Sequence, residues 1–149
     1  MRRCPTLCGV KKLVPFGVDA LLVIVFCAIG RHSHDESAIS GLFRTVWPFG
    51  TGLLIGWVAA IAISASALPE ATGAAAGKPG TDLVTTLRRF DGRRLWPTGV
   101  VVWLCTLTGG MVLRVLSHQG IALSFVGVAA TVLALFLLGW RGAWKALGR

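Results

Sequence analysis

The chain predicts an all-α fold: an integral membrane four-helix bundle with a short outer interfacial helix and both termini cytoplasmic. Three observations lead there. First, 54% of its 149 residues are apolar and only 14% are charged, against about 25% charge in an ordinary soluble domain. Second, four apolar runs, at about 13–30, 47–68, 97–117 and 121–140, approach the length of ~20 residues needed to cross a ~30 Å hydrocarbon core. Third, the basic residues collect on one side of these runs. The spans use up the chain, so residues 1–149 form one membrane domain, and the longest connection, 69–96, is too poor in large apolar residues to build a core.

The first run is read as a span. Ala28 and Gly30 weakly imitate the small-x-small rule of a cleaved signal peptide, but Asp19 interrupts what would be the apolar centre of the signal. Phe26 before Cys27 likewise argues against a lipoprotein anchor.

Charge sets the orientation. Arg2, Arg3, Lys11 and Lys12 precede the first span; Lys78, Arg88, Arg89, Arg93 and Arg94 lie between spans two and three; Arg141, Lys145 and Arg149 follow the fourth. Only Arg31, Arg44 and Arg114 belong to the other side, so the positive-inside bias places both termini and loop 69–96 in the cytoplasm of a plasma-membrane protein. The net charge of +9 then reflects topology and attraction to the lipid bilayer. Nucleic acid is not an indicated partner, because no binding module and no basic face with interleaved aromatics is present.

Span two carries Gly52, Gly56, Ala60 and Ser64 at every fourth position. A face of small side chains lets a second backbone approach closely; packing within the bundle is the preferred use, with homo-oligomer formation as the alternative. Trp47-Pro48 is expected to open span two and Trp96-Pro97 span three, since Pro fits the first turn of a helix and Trp favours the membrane interface. Before span two, Ser33 and Glu36 fit a capping box, and Ile39, Leu42, Phe43 and Val46 follow at helical spacing. These residues predict an outer interfacial helix at about 34–46, with Asp35 and Glu36 in its first turn, where the helix dipole favours negative charge. Leu83, Leu87 and Phe90 with Arg88 and Arg89 suggest a basic interfacial helix on the cytoplasmic side.

Two ionisable groups fall within the bilayer, where a charge costs at least ~2.5 kcal/mol. Asp19 lies about 9 Å from the cytoplasmic edge at 1.5 Å per residue, a depth shared by Ser64 and Trp103, which are its candidate hydrogen-bonding partners. The plainer reading of Asp19 is an acid near a helix start, stabilised by the dipole. Arg114 lies near the outer end of span three, in position to snorkel to headgroups or to pair with Asp35 or Glu36.

His32 and His34 in the outer loop and His118 in the turn 117–120 share that outer face with Arg31, Asp35, Glu36 and Arg114. Histidine and carboxylate are zinc ligands, yet an H-x-H pair with one distant histidine is a weak pattern, and no metal or cofactor is assigned. Cys4 and Cys8 lack a second pair or a redox spacing. Cys27 and Cys105 differ by about 9 Å in depth at the helical rise, more than a disulfide tolerates.

Asp19 in the first span, GRHSHDES at 30–37, Thr45-Val46-Trp47-Pro48-Phe49, GGMVLR at 109–114 and LGWR at 138–141 together resemble domain-of-unknown-function family 3054. Its members are small multi-pass membrane proteins of actinobacteria and haloarchaea. The resemblance spans 14–141; it implies a multi-pass membrane protein and carries no catalytic role to any position.

With no soluble domain, nucleophile motif or cofactor motif, the leading functional reading is a non-enzymatic accessory or interaction subunit with a protein partner or a second copy of itself. A small transporter or channel subunit using Asp19 is the alternative. A third reading is an outer-face metal-dependent or acid-base enzyme using His32, His34, His118 and Asp35.

Overall fold

The computed structural model describes residues 5–31, 38–66 and 90–148, without the side chains of 5–12, 31 and 38–40. Four α-helices carry them: α1 (Pro5–Arg31), α2 (Ala38–Ser66), α3 (Val100–Leu116) and α4 (Leu123–Leu147), with a π turn (Leu95–Gly99) leading into α3. Segments Leu13–Gly30, Gly41–Ser66, Leu95–Leu116 and Leu123–Leu147 are each long and apolar enough to cross a membrane. Helices are the natural outcome, because in hydrocarbon every backbone N–H and C=O must find its partner within the segment. The protein is a multi-pass helical membrane protein by length and composition.

The helices close into a ring in which α1 packs on α2 and α4, and α3 packs on α2 and α4. Each contributes residues at intervals of about four to the core: Val23 and Cys27 from α1, Phe49, Leu53 and Trp57 from α2, Val102 and Thr106 from α3, and Ala129, Leu133 and Leu137 from α4. Phe26 meets Phe49 edge-on at 5.4 Å between ring centroids. The outward faces stay apolar, with Leu21, Ile24, Leu54, Ile55, Val58, Leu104, Val112 and Leu135 exposed, as a lipid solvent requires.

The small-residue face of α2 lies directly on α3. A Cβ on Gly52 would sit 2.9 Å from the Cys105 carbonyl oxygen, and one on Gly56 would sit 3.0 Å from the Val102 Cα. Gly109 returns the fit, since its Cβ would lie 3.0 Å from the Gly52 Cα. Ala60 extends the buried face, while half-buried Ser64 turns its hydroxyl back onto the Ala60 carbonyl at 2.8 Å.

The helix bounds differ from the apolar runs of the sequence. No boundary separates an outer helix from span two: residues 38–46 are helical but belong to α2, which runs unbroken through Pro48 to Ser66. Pro inside a membrane helix is tolerated where neighbouring groups satisfy the backbone, so the Trp47-Pro48 signal does not demand a helix start. Pro97, by contrast, does sit in the turn that opens the third span, where the Gly99 N–H reaches back to the Arg94 carbonyl at 3.0 Å. α4 continues past the apolar run that ends at Trp140 as far as Leu147, which carries Arg141 into the bundle. The expected capping residues Ser33 and Glu36 and the basic segment from Leu83 to Arg89 lie outside the described residues.

Candidate functional site

On α1, Pro15, Asp19, Val23 and Cys27 recur every fourth residue and are all buried. On α4, Ala129, Leu133, Leu137 and Arg141 do the same. Asp19 and Arg141 therefore continue apolar stripes, and each points its charge at the core. Neither exposes any side-chain surface.

They satisfy one another. Arg141 Nη1 donates to Asp19 Oδ1 at 2.8 Å and Arg141 Nη2 donates to Asp19 Oδ2 at 2.7 Å, the bidentate geometry that suits guanidinium and carboxylate. Two indoles complete the carboxylate: Trp140 Nε1 donates to Oδ1 at 2.9 Å, and Trp57 Nε1 donates to Oδ2 at 3.0 Å. Each carboxylate oxygen thus accepts two bonds, its full lone-pair capacity. The remaining Arg141 hydrogen bonds are to backbone, Nη1 to the Leu137 carbonyl at 2.7 Å and Nε to the Gly92 carbonyl at 3.2 Å.

Two glycines make room for this cluster. Gly92 is buried in the segment before the π turn, and a Cβ there would lie 2.5 Å from Trp57 Cη2 and 3.2 Å from Pro15 Cβ. Only a residue without a side chain lets that carbonyl reach Arg141. Gly99 lies beside the arginine stem, where a Cβ would sit 2.9 Å from Arg141 Cδ. Phe16 and Phe90 each meet Trp57 edge-on with centroids 5.6 Å apart, which holds the indole with its N–H towards Asp19. The cluster joins α1, α2, α4 and the chain entering α3 at one end of the bundle.

Ser64 and Trp103 do not take part. Ser64 bonds within α2, and Trp103 Nε1 donates to the Ala130 carbonyl at 3.1 Å. Trp103 has its side chain turned to α4, and Ser64 lies beyond Trp57 on α2 by about 10 Å at the helical rise, so direction excludes the first and height the second. Trp57, Trp140 and Arg141 are the partners of Asp19 that a depth argument misses, with Gly92 bound to Arg141 behind them. The signal available for Arg141 was the stripe Ala129, Leu133, Leu137, which it extends by one more interval of four.

His32, His34, Asp35 and Glu36 lie outside the described residues, as does the side chain of Arg31. His118 is exposed in the turn after α3 with φ 55°, a left-handed conformation that histidine adopts more readily than most residues. Arg114 is half-buried with its guanidinium carbon 4.7 Å from the Phe125 ring centroid. Its Nε has no hydrogen-bond partner among the described residues. Cys27 and Cys105 are free thiols, Cys27 facing the Thr45 carbonyl at 3.8 Å.

A family model described as protein of unknown function (DUF3054) matches residues 16–144, a stretch that contains Asp19, Trp57, Gly92, Trp140 and Arg141. No curated protein and no solved structure matches the chain.

Proposed function

Because the chain belongs to DUF3054, a family that brings no activity with it, we propose a function from the buried cluster: a bundle that works by association within the bilayer, as a non-enzymatic accessory or interaction subunit. One observation carries the reading. Asp19, the carboxylate within the first span, has every acceptor position filled by donors of its own chain. It acts as the internal tie that fixes the helices, and the outward apolar faces are left for lipid and partners. Crosslinking in native membranes followed by affinity purification tests this: a discrete crosslinked partner or homo-oligomer is expected, and recovery of a bare monomer overturns it.

On this reading both termini face the cytoplasm and the protein resides in the plasma membrane. Burial of Arg141 removes one of the basic residues counted towards that side and leaves eleven against three, so the positive-inside bias survives. Accessibility labelling of a cysteine introduced at Lys145 checks the orientation; labelling from outside intact cells reverses it.

A second reading, a small transporter or channel subunit, draws on a different fact. A buried ion pair often stabilises no better than apolar residues of similar volume, and an intramembrane ionisable residue points to function by default. In proteoliposomes, Asp19→Asn then abolishes a solute or proton flux shown by the unaltered protein. Equal flux in the two removes this reading.

A further inference from the structure

The segment before α3 is held against the end of α4 at two points. Gly92 accepts from Arg141, and one residue later the Arg93 guanidinium stacks on the Trp144 ring with its carbon 4.5 Å from the ring centroid. The two segments that meet here carry three cations, half-buried Arg93 and its exposed neighbour Arg94 on one and exposed Lys145, next to Trp144, on the other. Among the described residues the neighbouring acid in sequence is Asp91, whose Oδ1 is engaged by the Arg93 backbone N–H at 3.0 Å. No carboxylate pairs with Arg93, Arg94 or Lys145 among the described residues.

Contact with the ring holds the Arg93 guanidinium, a planar group whose N–H donors form a fork. That fork matches the oxygens of a phosphate in a way a lysine ammonium does not. The surroundings are apolar as well as cationic: Trp144 is 54% exposed, Leu147 85% and Trp96 76%. Tryptophans so placed mark the headgroup level of a bilayer, and exposed apolar surface beside a cation cluster suits an occupant that carries acyl chains.

We propose that Arg93, Arg94 and Lys145, with Trp144 as platform, form a seat for the phosphate of an acidic phospholipid at the Asp19 end of the bundle. The seat depends neither on which side of the membrane that end faces nor on the association proposed above.

Native mass spectrometry of the purified full-length protein, titrated with phosphatidylglycerol or phosphatidylcholine, tests it. The protein is expected to retain phosphatidylglycerol in preference to phosphatidylcholine. Arg93→Ala should weaken that binding about tenfold, the equivalent of ~1.4 kcal/mol. Arg93→Lys, which keeps the charge and loses the fork, should also weaken it severalfold. Arg44→Ala, an equal change of charge at an exposed position on α2, should leave it unchanged. If Arg93→Ala perturbs folding, Arg94→Ala and Lys145→Ala, at exposed positions, carry the test with a severalfold loss expected. Lack of preference between the two lipids, wild-type binding by Arg93→Lys, or an equal loss in Arg44→Ala overturns the seat. So does displacement of the lipid by excess inorganic phosphate, which would assign the cations to a soluble anion.

Discussion

The bundle joins its helices in two contrasting ways. Between α2 and α3 there is no charge: Gly52, Gly56 and Gly109 bring two backbones together so closely that a Cβ at any of them would press on main-chain atoms. Between α1 and α4 there is a pair of full charges, Asp19 and Arg141, wrapped in indole and carbonyl partners. Lipid tails remove the hydrophobic incentive for helices to associate, leaving van der Waals contact and hydrogen bonds to do so. The glycine seam spreads its energy over many small contacts. The ionic tie concentrates its energy in one place and makes a single side chain decisive.

The largest effect should therefore come from breaking the tie on one side only. Arg141→Ala leaves Asp19 buried without its counter-charge, and removal of one partner from a buried pair costs about 3–5 kcal/mol. Reversible unfolding in mixed micelles should show a loss of that size. The double variant Asp19→Leu with Arg141→Met should recover most of it, since matched apolar replacement of a buried pair is often neutral. A double variant as unstable as the single one would mean that the cluster's geometry, more than its charge balance, holds α1 to α4.

The seam should break by crowding. Gly56→Val adds a branched side chain where even a Cβ would sit 3.0 Å from the Val102 Cα. Overpacking costs about 1–3 kcal/mol, and the upper end is expected because the obstructing atom is backbone, which cannot rotate aside. The same unfolding measurement reads it. A change at Gly127, where a Cβ meets nothing within 4 Å, should be nearly silent on α4. Equal losses at the two positions would show that helix propensity rather than close approach sets the penalty.

The contrast also explains what the sequence makes legible. The glycine face is visible because small residues at a period of four need no knowledge of a partner to be recognised, and Gly52 and Gly56 do lie on α3. Four apolar helices are visible for the same reason, since crossing a bilayer is decided by length and hydropathy. Asp19 stands out as an intramembrane charge, but its partners require the rotation of every helix about its axis. Trp103 turns to the Ala130 carbonyl, and Ser64 lies about 10 Å beyond Trp57 along α2 at the helical rise. Arg141 reads as a residue of the aqueous side because the apolar run ends at Trp140, although the helix and its buried stripe continue. Gly92 offers no signal at all, because its role is to present a carbonyl from a non-helical segment.

The smallest effects should separate the two indoles on Asp19, and their ratio sharpens the picture of the tie. Trp57→Phe keeps the edge-on contacts with Phe16 and Phe90 but removes a donor to Oδ2 in a site 8% exposed. Side-chain hydrogen bonds in membrane proteins average ~0.6 kcal/mol and reach ~1.7, and a charged acceptor with no replacement donor favours the upper value. Trp140→Phe removes the matching donor to Oδ1 from a position that is only half-buried. There, water or a headgroup can replace the lost N–H, so a loss of about 0.6 kcal/mol is expected. If Trp140→Phe proves as costly as Trp57→Phe, the cluster is as dry on its α4 flank as at its centre. The tie would then be sealed from the interface rather than bordering on it.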